Sequence, residues 1–161
     1  MSLAISLRAV SLKAFFENSI FLSAVSSWFI AQLLKAAVVT LSRRRSAREI
    51  LETVIWRTGG MPSSHSALVS AMAASVGFSE GIHSNLFVVS FFVALIVMRD
   101  AMGVRRSSGL QARALNTLGK QAADQMGVDF HPVKEVHGHA PLEVVLGSLL
   151  GIFIAAAYAF L

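Results

Sequence analysis

Two histidines in short polar motifs carry the chemistry open to this chain. His65 sits in the run Gly59-Gly60-Met61-Pro62-Ser63-Ser64-His65-Ser66. Paired glycines free the backbone to bend, and Pro62 restricts the turn that follows. Ser63 or Ser64 can cap the helix that Ser66-Ala67-Leu68-Val69 opens. His65 then falls in a first turn whose free N–H groups and positive dipole end favour an anion. On its own the motif reads equally well as an ordinary capped helix with an incidental histidine. His139 and Glu143 are one helical turn apart, with Pro141 between them suited to a first turn. Such a carboxylate can fix one ring nitrogen and leave the other as a nucleophile. His65, across the site, would protonate a leaving alkoxide. Lys35, Arg105 and Arg106 would hold the non-bridging oxygens of a phosphate, with Ser63 and Ser64 beside them.

That scheme calls for no metal and no cofactor. A zinc set of His131, His137 and His139 with Glu135 and Glu143 is the competing use of the same region, at a looser spacing. Arg105 and Arg106 also read as a basic loop, although Gly103 and Gly109 bracket them and favour a shaped turn. With no cysteine in the chain, thiolate catalysis, disulfides and Cys-ligated metals are excluded.

The elements that must position these groups belong to a membrane protein. Hydrophobic residues make up 55% of the 161 and charged residues 14%, against about 25% in soluble domains. An all-α, membrane-embedded bundle in a single domain over residues 1–161 is therefore expected, with about four embedded helices and amphipathic helices at the surface. Residues 1–19 read as an amphipathic entry segment. Ala4 to Val10 is too broken by Ser6 and Arg8 to form the apolar core of a cleavable signal. Residues 20–41 are long enough to span, since a bilayer core needs about 20 residues. Gln32 and Lys35 lie on one face of that run; the lysine either snorkels to the interface or points into the bundle. A basic connection with Arg43, Arg44, Arg45, Arg48 and Arg57 follows.

Residues 64–78 form a helix rich in Ala and Ser, the composition of a central helix that neighbours approach closely. Residues 86–98 are apolar and run on into Arg99 and Asp100, read as a mutual ion pair or as site residues. Residues 104–140 are expected at the membrane surface: a basic turn, an amphipathic helix over 110–126 carrying Gln111, Arg113, Asn116 and Lys120, then an irregular connection. The last run, 141–161, carries Gly147 and Gly151 as a packing face. If the four runs alternate across the bilayer, Lys35, the turn at 62–65, residues 100–106 and residues 139–143 all arrive on one side.

On these residues the chain resembles the divergent type 2 phosphatidic acid phosphatase family, related to acid phosphatases and vanadium-dependent haloperoxidases. The resemblance runs through residues 59–67, Asp100 with Gly103-Val104-Arg105-Arg106, Gly109-x-Gln111-Ala112, Asn116, and Gly138-His139-x-Pro141-x-Glu143-Val144. It implies a helical bundle in which the last histidine is phosphorylated and the histidine of a PSGH signature acts as general acid. Pro62-Ser63-Ser64-His65 matches PSGH with serine in the glycine place. His139 to Glu143 matches HxxxD with a longer carboxylate. Lys35 is the counterpart of the first-signature lysine, but no Arg-Pro follows at the required spacing, and Val133 occupies the third-signature arginine position. Arg105 and Arg106 are the candidates to supply that guanidinium, with Gln32, Asp100, Gln111 and Asn116 in support.

Two function classes follow. One is a metal-independent lipid phosphate phosphatase acting through a phosphohistidine on phosphatidylglycerol phosphate, phosphatidate or a polyprenyl phosphate. The other is a non-catalytic membrane protein that binds phosphorylated lipids or a partner. Ten of the 14 basic residues fall on the site side, excluding Arg99 in the third helix. By the positive-inside rule this points the site to the cytoplasm, expected at a bacterial inner membrane, and favours an inner-leaflet lipid. The net charge of +5 thus speaks of topology and anionic head groups, not of nucleic acid. Four short spans make a thin bundle, which leaves room for a homodimer that completes the core.

Overall fold

A computed structural model describes residues 12–42, 60–135 and 138–161, and among these all regular structure is helical. The helices are α1 (Leu12–Phe16), α2 (Ser19–Ser42), α3 (Ser64–Glu80), α4 (Asn85–Met102), α5 (Val104–Met126) and α6 (Pro141–Phe160). Most of the entry segment and the arginines at 43, 44, 45, 48 and 57 lie outside the described residues.

The local sequence explains where the helices begin. Asn18 Oδ1 accepts from the Ile20 and Phe21 amides at 2.8 and 3.2 Å, and Ser84 Oγ from Phe87 N–H at 3.1 Å. Each satisfies amides that a helix start leaves without partners. Ser63 caps α3 in the same way, accepting from the Ser66 amide.

α2, α4 and α6 are long and apolar enough to cross a membrane. α3 sits between them, packed against all three. Its five serines and its alanines explain that position, because acyl chains give helices no hydrophobic push and close approach depends on small side chains. The largest fully buried side chains are accordingly Ser23, Ser27, Ser63 and Ser66. Ser23 and Ser75 join α2 to α3 through a hydroxyl–hydroxyl bond of 2.6 Å. The apolar cluster is slight: Val69, Ala73 and Ala94, with Leu68, Val97 and Met98 against it.

The α3–α6 contact is tightest where α6 has glycines. A Cβ at Gly147 would strike the Ser63 carbonyl, and one at Gly151 the Ala67 carbonyl. The small face expected from Gly147 and Gly151 is thus the seam itself.

Two expectations for the middle of the chain need correction. No shaped turn holds Arg105 and Arg106. Helix α4 stops at Met102, the Gly103 amide closes it by donating to the Arg99 carbonyl at 2.8 Å, and α5 starts at Val104. Arginine is a good helix former and one internal glycine costs only about 1 kcal/mol, so the helix runs through Gly109. Asp100 pairs with Arg105 at 2.7 Å, not with Arg99. Consecutive residues on a helix point about 100° apart, which suits residues five apart across the Gly103 break better than neighbours. α5 carries the amphipathic stretch; none of its residues is buried, and among the described helices it touches α4 alone.

Replacing Gly151 by valine forces α6 off α3 and should cost about 1–3 kcal/mol as overpacking. A lowered thermal midpoint in detergent is the expected reading. Leu149→Val, at an exposed position of the same helix, should stay within about 0.5 kcal/mol of wild type.

Candidate active site

Four segments distant in sequence meet at one end of the bundle, tied by backbone bonds. The Ser63 amide donates to the Glu143 carbonyl at 3.0 Å, joining the start of α3 to the start of α6. The His139 amide donates to the Ala101 carbonyl at 3.0 Å, joining the segment before α6 to the end of α4. Gly60, at φ +95°, lies against the Lys35 side chain, bringing α2 under the turn that leads into α3. At that φ a side chain would be strained, so glycine is the residue that fits.

His139 is buried, 3% exposed, and its Nδ1 lies 2.8 Å from Glu143 Oε2. An ionised carboxylate only accepts, so it selects the tautomer in which Nδ1–H donates and Nε2 carries the lone pair. The same Oε2 accepts from the Ala140 amide at 3.2 Å, which anchors the carboxylate at the first turn of α6. The i, i+4 spacing and Pro141 at the helix start produce this geometry locally.

His65, in the first turn of α3, is exposed at the same end. Partial burial of its ring pushes its pKa below the ordinary 6.5, and the positive charges of Arg105 and Lys35 push it the same way; Asp100 opposes them. The imidazole is therefore neutral at pH 7 and gains a proton when an anion offsets those charges.

Lys35 is 2% exposed and feels the Glu143 carboxylate, so it points into the bundle and does not snorkel. Gln32 is buried one turn before it. Ser63 and Ser64 are buried under His65, and the Ser63 hydroxyl is committed to the cap, 3.0 Å from Ser66 Oγ. Arg105 holds Asp100 and acts on His65, whereas the Arg106 side chain is exposed.

Gln111 and Asn116 lie further along α5, Asn116 about 16 Å beyond Arg105 at 1.5 Å per residue. Gln111 bonds Ser107 Oγ at 3.3 Å. Asn116 has a task of its own. The connection after α5 doubles back along that helix as an extended strap. Phe130 covers Gly119, and Asn116 holds both the amide and the carbonyl of Val133 at 2.9 Å. Glu135 meets Asn116 at 3.1 Å and Arg113 at 3.3 Å, and Gly138 lies on the Arg106 backbone with no room for a Cβ. Val133 is thus a strap residue with an exposed side chain. Of the alternative zinc set, His137 lies outside the described residues, and Glu135 is bonded within the strap.

Sequence reasoning gave no role to Gly138 or to the Ala101 carbonyl, although both fix His139. The available signal was a glycine directly before a site histidine, which marks a close backbone approach. Replacing Asn116 by alanine removes both side-chain bonds to Val133. Amide exchange at Val133 should rise by about tenfold or more, one hydrogen bond's worth, while α3 amides keep their protection.

Comparison with known proteins agrees with this architecture. The family model described as "Divergent PAP2 family" matches residues 16–154. A Bacillus subtilis protein named "Uncharacterized membrane protein YuiD" is 35% identical over 152 residues, covering 86% of this chain and 92% of that one. No solved structure matches. With nearly its whole length accounted for in this way, the chain is a membrane protein that belongs to the divergent PAP2 family.

Proposed function

We propose that this protein is a metal-independent lipid phosphate phosphatase working through a phosphohistidine. The observation that carries the reading is the buried His139 with its Glu143 partner beside the exposed His65, with Lys35 and Arg105 supplying positive charge. His139 Nε2 attacks phosphorus and the ester P–O bond breaks. The departing alkoxide takes its proton from protonated His65. Water then attacks the phosphohistidine and gives a proton back to His65; phosphate leaves and His139 is restored. Glu143 holds the ring and balances its charge through both steps. Arg105 and Lys35 serve the equatorial oxygens, which suits a reaction that depends mainly on positioning and charge.

The substrate on this reading is a phosphomonoester of a membrane lipid, of the phosphatidylglycerol phosphate, phosphatidate or polyprenyl phosphate type. The basic excess on the site side favours a cytoplasm-facing site at a bacterial inner membrane, and with it an inner-leaflet lipid. A second reading draws support from Val133: where the superfamily signature has an arginine, this strap offers none. On that reading the same pocket binds a phosphorylated lipid without turnover. Phosphate release from lipid phosphates by purified protein in excess chelator decides between them.

His139→Ala should abolish release. His65→Ala should slow it by about 10²–10⁴-fold, the usual worth of a general acid. Activated aryl phosphates, whose leaving group needs no proton, should recover most of that loss. Full rates in both variants would overturn the mechanism.

The pH dependence follows from His65. Phosphoryl transfer needs its protonated form, and burial with the neighbouring cations holds its pKa below the ordinary 6.5. On a lipid phosphate kcat/KM should therefore fall as pH rises, along a limb centred below that value. On an aryl phosphate the limb should vanish.

A further inference from the structure

The outer corner between α4 and α5 holds a second polar feature. An open cavity of about 710 Å³ lies there, with Arg99, Ser107, Ser108 and Gln111 as its polar wall and Met102 and Val104 as its apolar one. His65, His139 and Arg105 are not part of its lining. Helix geometry keeps the two sites apart. Arg99 and Asp100 point about 100° apart around α4, and Val104, Ser108 and Gln111 share a face of α5 that excludes Arg105. Asp100 is taken by Arg105, while Arg99 forms no ion pair among the described residues. No carboxylate lines the cavity.

Below Arg99, on the same stripe of α4, stand Ile96, Phe92 and Val89, exposed by 67%, 57% and 60%. α4 is apolar enough to span, so this stripe faces acyl chains. An apolar track that ends on a guanidinium with no ion-pair partner among the described residues, beside two hydroxyls, is complementary to an amphiphile with an anionic head. The guanidinium fork suits phosphate oxygens, and a choline cation has no partner here.

We propose that this corner binds the phosphate of an anionic phospholipid, with its acyl chains along Val89, Phe92 and Ile96. This lipid is a bound companion separate from any substrate at His139, and the assignment stands without the phosphatase reading.

Native mass spectrometry of the full-length protein tests it, using short-chain phosphatidylglycerol, the matching phosphatidylcholine, and water-soluble glycerol phosphate as a competitor. Phosphatidylglycerol should bind tighter than phosphatidylcholine by about tenfold or more. Arg99→Gln should erase that preference, and so should Ser108→Leu, which fills the cavity. Phosphatidylglycerol binding unchanged in both variants overturns the proposal. Displacement by glycerol phosphate at equal concentration overturns the lipid assignment in favour of a soluble phosphate. A preference lost in Arg105→Gln and kept in Arg99→Gln moves the lipid to the His139 site and also overturns it.

Discussion

The bundle depends on how closely α6 lies on α3. Gly147 and Gly151 bring the two backbones together, and the amide of Ser63 reaches the Glu143 carbonyl as a result. That bond sets the start of one helix against the start of the other. The carboxylate that orients His139 and the turn that presents His65 are then held by the same contact. The energetic logic is that of a bilayer interior. With no gain from leaving water, stability comes from packing contact and from satisfied polar groups. Serine serves both needs, being small and able to bond, and serines rather than leucines fill the deepest positions.

The other half of the candidate site is placed by different means. His139 follows a segment whose described residues have no regular structure, and such a segment has no register of its own. It acquires one from α5. Phe130, Val133, Glu135 and Gly138 meet Gly119, Asn116, Arg113 and Arg106 in strict reverse order. The steps from Gly119 to Arg106 cover about 20 Å of helix. The eight steps from Phe130 to Gly138, with an extended reach of about 26–29 Å, cover that distance with roughly a third to spare. The last tie, from the His139 amide to Ala101, hands the strap from α5 to the bundle.

What could be read from the chain alone divides along physical lines. Helix positions were legible because apolar run length and local caps declare them: α3, α4 and α6 begin within a residue or so of where composition changes. The Gly147 and Gly151 face and the central place of the serine-rich helix followed from packing rules that need no coordinates. The His139–Glu143 pair was legible because i, i+4 partners are neighbours whatever the surroundings. Partnerships set by tertiary geometry were not. Asp100 with Arg105 depends on a helix break one residue long at Gly103, and Asn116 with Val133 on a chain reversal. Lys35 was undecided between interface and interior because its hydropathy environment permits both; only the fold, which lays Gly60 over it, decides.

The single-residue break at Gly103 has a mechanical corollary. α5 meets the rest of the described helices only through α4, so its swing is that of a lever whose fulcrum is Gly103. The arm is about 35 Å long, yet Gly138 grips it at Arg106, only about 4–5 Å from the pivot. The strap also grips the arm further out, at Arg113, Asn116 and Gly119, so helix, strap and the His139 backbone are tied into one unit.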